Sequence, residues 1–168
     1  MSLVLGIDPG KDGYFATLST EGEMRTYPMP MINTGSGSKR VYDFPAIKEL
    51  FKQFKADGVE LIILEKQQAM RGQGVTSMFS TGQGYGLLEM ACVFVEIPYK
   101  NVHPKTWKGV MCNDLPKMDP KKKSIIAAKR TFPTVDLKKT ARCTTDHDGK
   151  ADALLLAWYG LHKVLGAE

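Results

Sequence analysis

Leu3-Val4-Leu5-Gly6-Ile7-Asp8-Pro9-Gly10 opens the chain as a short apolar run that ends in a carboxylate and stops at a Pro-Gly turn. Val59-Glu60-Leu61-Ile62-Ile63-Leu64-Glu65 repeats the pattern and also ends in a carboxylate. Runs this apolar and this short read as strands covered on both faces. Between them, Tyr14–Ser19 and Glu23–Tyr27 alternate loosely around Thr20-Glu21-Gly22, so the first three strands form an antiparallel meander. Phe44, Ile47, Leu50, Phe51 and Phe54 then recur at helical spacing, with Asp43 as N-cap, Pro45 in the first turn and Gly58 past the end. A helix joining two buried strands is a crossover. If the two strands are parallel neighbours, Asp8 and Glu65 meet at one sheet edge.

Residues 28–40 have loop composition, and about Gly82 to Phe94 reads as a helix with small residues, followed by a short strand, Val93–Ile97. His103-Pro104-Lys105-Thr106-Trp107-Lys108 starts a helix. Another runs from Asp119, a cap followed by Pro120, to Arg130. The last covers about Gly149 to Val164, with Ala151, Leu154, Leu155, Trp158, Leu161 and Val164 on an apolar stripe. The expected architecture is α/β, with a mixed five-stranded sheet flanked by helices in a single domain over residues 1–168.

At 168 residues and 43% hydrophobic content the chain can bury a core, which excludes a disordered protein and a multidomain enzyme. Three cysteines without a CxxC spacing argue against a disulfide framework or a structural zinc cluster and for a reducing compartment. With no apolar run of transmembrane length and no leader pattern, no membrane partner and a cytoplasmic location are expected. The net charge of +5 is unevenly spread. Residues 100–142 hold 12 basic and 3 acidic side chains, whereas residues 1–99 hold 9 and 11 and residues 143–168 hold 2 and 4. A basic segment between two acidic ones suggests a polyanionic partner gripped beside an acidic centre.

Asp8 and Glu65 each close a strand whose burial would strand a charge unless it is paired or bound to metal, although strands also commonly end in a polar surface residue. In Asp146-His147-Asp148-Gly149-Lys150-Ala151-Asp152, the aspartates at 148 and 152 share one helical face. Asp146 or Asp148 can cap the helix, but Asp152 lies inside an apolar run and needs a partner. An all-carboxylate set suits magnesium or manganese better than zinc. Two such ions support phosphodiester cleavage, and with the basic segment this points to nucleic-acid hydrolysis.

Four motifs in order, Gly6-Ile7-Asp8-Pro9-Gly10, Leu64-Glu65, Val102–Lys108 and His147–Leu154, resemble the RuvC family of Holliday-junction resolvases, the HDGKADALLLA segment being closer to phage and related bacterial members. The resemblance implies a ribonuclease H-like fold and a homodimer that nicks two opposed strands of a four-way junction, using Mg2+ with Mn2+ able to substitute. It makes Asp8, Glu65 and Asp152 catalytic metal ligands. Family members commonly carry Asp or His where this chain has Gly149, so the fourth ligand is assigned to Asp148, with Asp146 and His147 as alternatives. The same similarity favours Lys105, Lys108 and Lys121, Lys122 and Lys123 for DNA contacts, with one lysine near the metals assisting catalysis. The loop after Glu65, with Met70, Arg71 and Phe79, either inserts at a junction crossover, with Arg71 touching DNA, or is an ordinary surface loop. Trp107 and Trp158 read as core or interface anchors. Competing readings are a related nuclease for other branched DNA or RNA/DNA hybrids, and a non-catalytic nucleic-acid module. A sugar-kinase-like ATPase would need a second comparable domain.

Overall fold

A computed structural model describes residues 1–35 and 39–167. Strands β1 (Leu3–Asp8), β2 (Tyr14–Ser19) and β3 (Met24–Pro28) form the meander, and a hairpin of β4 (Met31–Asn33) and β5 (Arg40–Tyr42) follows. Helix α1 (Phe44–Ala56) leads to β6 (Val59–Glu65), and α2 (Val75–Val95) leads to β7 (Tyr99–Val102). Helices α3 (Pro104–Met111), α4 (Pro120–Thr131) and α5 (Asp148–Tyr159) complete the chain, α5 running on into a π-helical turn at Gly160–Val164.

The main sheet has the order β3-β2-β1-β6-β7, with β1 parallel to β6 and β6 parallel to β7. This is the mixed five-stranded sheet expected. Register pairs Ile7 with Leu64, so Asp8 and Glu65 lie side by side at the carboxyl ends of neighbouring strands. Side chains alternate across a strand, which divides the core into two layers. Val4, Leu61 and Ile63 pack with α5, α4 and Trp107, while Leu5, Ile7, Ile62 and Leu64 pack with Ile47, Phe51 and Phe54 of α1 and Leu88 and Cys92 of α2. By the same alternation Asp8 and Glu65 belong to the α5 layer.

Helix α5 lies directly on β1. A Cβ at Gly6 would stand 2.2 Å from the Ala153 carbonyl oxygen and 2.5 Å from the Ala157 nitrogen, so only glycine permits this approach. Residues Gly149 and Ala151–Ala157 of α5 are buried between the sheet and α4. Capping follows the residue chemistry: Asp43 accepts from the Ala46 N–H, and Asp119 accepts from the Lys121 and Lys122 N–H groups.

Four expectations are corrected. Residues 28–40 are not loop throughout, because β4 and β5 pair there; residues 36–38 lie outside the described residues. Helix α2 begins at Val75 rather than near Gly82, its exposed first turns propagating from a segment anchored by Gly84, Leu88 and Cys92. The strand expected at Val93–Ile97 lies at Tyr99–Val102, because Glu96 ends α2 in a left-handed conformation (φ 54°) and Pro98 follows. Finally, the residue at the N-cap position of α5 is His147, without a side-chain capping bond, and Asp148 is the first helical residue.

Candidate active site

Asp8 leaves the end of β1, Glu65 the end of β6, and Asp152 the second turn of α5, where the close β1–α5 approach brings their charges together. Asp8 is held well above the usual carboxylate range, first by burial and then by the charges of Asp152 and Glu65, with Lys108 opposing and Asp148 adding to the rise. Burial likewise raises Glu65, aided by Asp152 and opposed by a hydrogen bond from Trp107. Asp152, 8% exposed, is also raised by burial, against the pull of Lys108.

Helix α3 reaches into this cluster with two successive side chains. The indole N–H of the fully buried Trp107 donates to Glu65 Oε2 at 2.8 Å. Lys108 Nζ donates to Asp152 Oδ2 at 3.1 Å, and its ring neighbour Trp107 lies 4.9 Å from that ammonium. Burial pulls the Lys108 pKa down, but Asp152, Glu65 and Asp8 together leave it raised, so this lysine stays charged. Gln67 donates to Glu65 Oε1 at 3.3 Å.

The stretch before Asp152 sorts itself by partner. Asp146 pairs with Lys129. Asp148 lines an open cleft with Asp8, Asp12, His147 and Lys121, and Lys121 Nζ stands 3.5 Å from Asp148 Oδ2. His147 packs its ring against Tyr14, with centroids 4.9 Å apart, and its Nδ1 is buried without a hydrogen-bond partner. Gly149 touches the site through its backbone: a Cβ there would lie 2.8 Å from Asp8 Oδ2.

Of the basic residues, Lys105, Lys122 and Arg71 are exposed, and Lys123 is half-buried. Lys108, expected among the DNA contacts, is half-buried and pairs with Asp152. It points inward because Asp152 beneath it is a buried carboxylate that needs a cation. Met70, Val75 and Phe79, each at least 70% exposed, project from the β6–α2 connection and the start of α2.

A hard divalent cation suits this donor set. Asp152 Oδ1 and the Ser124 hydroxyl are both buried with no hydrogen-bond partner. Three carboxylates, Asp8, Glu65 and Asp152, face one internal ammonium, Lys108, an imbalance that a divalent ion would relieve. Among the described residues, no three ligating side chains stand close enough together to hold an ion as they are placed. Sequence alone assigns Trp107 to the core or an interface; its bond to Glu65 is signalled only by its place next to Lys108 in the Val102–Lys108 motif.

No protein-family model matches the chain, and no curated protein is a significant match. Solved structures do match. Thermus thermophilus RuvC in complex with Holliday junction substrate superposes with a TM-score of 0.58 at 16% identity, covering 100% of this chain and 99% of that one. A second Thermus thermophilus RuvC structure gives 0.54 at 17% identity over 98% and 97% of the two chains. The fold is ribonuclease H-like. No described helix is long and apolar enough to cross a membrane.

Proposed function

We propose that the chain is a divalent-metal-dependent endodeoxyribonuclease that resolves four-way DNA junctions by paired, symmetric nicks in DNA recombination, repair or phage DNA processing. The observation that carries this reading is the gathering of Asp8, Glu65 and Asp152, with Asp148 beside them, at one sheet edge rimmed by α4 lysines. The neighbour bound to Holliday junction substrate shares the fold and supports the choice of substrate class.

In this reading Asp8, Glu65, Asp148 and Asp152 hold Mg2+, for which Mn2+ can substitute. The bound cations would supply Lewis-acid stabilisation of the phosphate and an activated water. The chain's residues do the rest. Glu65 is oriented by Trp107 and Gln67. Lys108 opposes the protonation of Asp152 and supplies positive charge beside the scissile phosphate. Lys105, Lys121, Lys122, Lys123 and Arg71 hold the backbone of the arms. Exposed Met70 and Phe79 offer an apolar wedge at the crossover. Two nicks need two such centres, and the exposed Met90, Val93 and Phe94 of α2 give a second copy an apolar face to cover. The protein acts in the cytoplasm in this reading.

The test is incubation of an end-labelled four-way junction and a matched linear duplex with Mg2+ or with chelator. Symmetric nicks in the junction alone, lost with chelator, are expected. Equal cleavage of flaps, linear duplex or RNA/DNA hybrids would transfer the reading to a less selective nuclease of the same fold. Binding without cleavage would make the chain a non-catalytic module.

A further inference from the structure

The geometry points to Trp107 as a positioning residue that sets the orientation of the Glu65 carboxylate toward the cation. The inference rests on the metal-dependent reading above and deepens it. Tryptophan carries one polar hydrogen and no acceptor, so a fully buried indole must find a fixed acceptor. Trp107 is 0% exposed and finds Glu65 Oε2 at 2.8 Å. The ring itself is fully buried in the α5-side core, which leaves the N–H little freedom to follow a moving carboxylate. Glu65 is therefore the partner that must conform.

The neighbouring side chain engages a second carboxylate of the cluster, on helix α5. Trp107 and Lys108 are consecutive on α3 and diverge by about 100° around the helix axis. One engages Glu65 of β6 and the other Asp152 of α5. Helix α3 thereby brackets the acidic cluster with a neutral donor on one side and a cation on the other. The neutral donor has a distinct consequence: it orients Glu65 without cancelling the negative charge needed to attract a divalent ion. Outer hydrogen bonds of this kind are worth about 10–100-fold in metal affinity.

The experiment measures Mn2+ binding by calorimetry in the intact protein, comparing wild type, Trp107→Phe, Glu65→Gln and the double variant. Trp107→Phe keeps the ring and removes only the donor. Expected is a loss of about 10-fold or more in Mn2+ affinity, an unchanged circular dichroism spectrum, and no further loss when the substitution is added to Glu65→Gln. Wild-type affinity in Trp107→Phe overturns the inference, as does an equal loss in both backgrounds, which would mark a packing effect that bypasses Glu65. If the wild-type protein binds no Mn2+, the metal reading itself falls, and this inference with it. Should Trp107→Phe fail to fold, the indole N–H resonance of Trp107 in the wild-type protein decides instead. It is expected to shift on addition of Mg2+ and to move in Glu65→Gln; a resonance indifferent to both overturns the inference.

Discussion

The carboxylate of Asp8 stands where a side chain at Gly149 would begin. A Cβ at that position would lie 2.8 Å from Asp8 Oδ2 and 2.8 Å from the Asp12 carbonyl oxygen, below any ordinary contact. The first turn of α5 thus meets the β1–β2 connection through bare backbone, and the acidic side chain of this turn comes from Asp148 instead. Gly149→Ala is expected to cost about 1–3 kcal/mol in stability, the range for overpacking a tight site, and to weaken Mn2+ binding. A variant with wild-type melting temperature and metal affinity would show that the two elements separate freely.

Asp8→Asn removes one charge from a cluster that repels itself and retains the shape of the side chain. Junction cleavage should fall by about 10²–10³-fold or more, the scale of losing a principal transition-state contact, while junction binding is retained or improves. Gel-shift and cleavage assays on the same preparation separate the two effects. Full cleavage would exclude Asp8 from the reaction.

Stability of the cation-free protein should fall as pH rises from the ordinary carboxylate range through the raised values of Asp8 and Glu65. Asp8 is raised by burial and by Asp152 and Glu65, and Glu65 is raised by burial and Asp152. In the unfolded chain both titrate near pH 4. Between those values and the raised ones the folded state holds more protons than the unfolded state, so each unit of pH upward costs stability. Asp12 and Asp114, lowered by Arg40 and Arg130, lose their contribution only below this window. Thermal melts in chelator should show the decline, Asp8→Asn should flatten it, and added Mg2+ should reverse it. A melting temperature that climbs across the window equally in wild type and Asp8→Asn would refute the prediction.

Lys122 is exposed, while its neighbour Lys121 leans toward Asp148. If α4 tracks the DNA backbone, Lys122→Ala lowers affinity for all duplex sequences alike and reduces the slope of log affinity against log salt by about 0.9. Lys48→Ala on α1, which covers the opposite face of the sheet, serves as the control and should change neither. Identical slopes for the two variants would place the DNA elsewhere.

Much of the architecture could be read from the chain because it depends on short-range rules. The apolar runs ending at Asp8 and Glu65, the helical spacing of Ile47, Phe51 and Phe54, and the Asp43 and Asp119 caps each involve residues within a few positions of one another. From these the parallel β1–β6 pair followed, and with it the meeting of Asp8 and Glu65. The β4–β5 hairpin and the polar edge strand β7 did not follow, since a three-residue strand and a one-sided edge carry too little periodicity.

Residue order thus determined the elements, the crossover and the acidic character of the site. Tertiary structure alone decided which side chains serve it: Asp146 goes to Lys129, Asp148 stays at the cleft, Lys108 turns inward, and Trp107 becomes a donor rather than a mere filler of the core. The bonds responsible join residues 42 and 44 positions apart. Such pairings are selected by the need of a buried carboxylate or indole for whatever partner the packed layers bring within reach, a requirement that exists only once α3 and α5 have closed over the sheet.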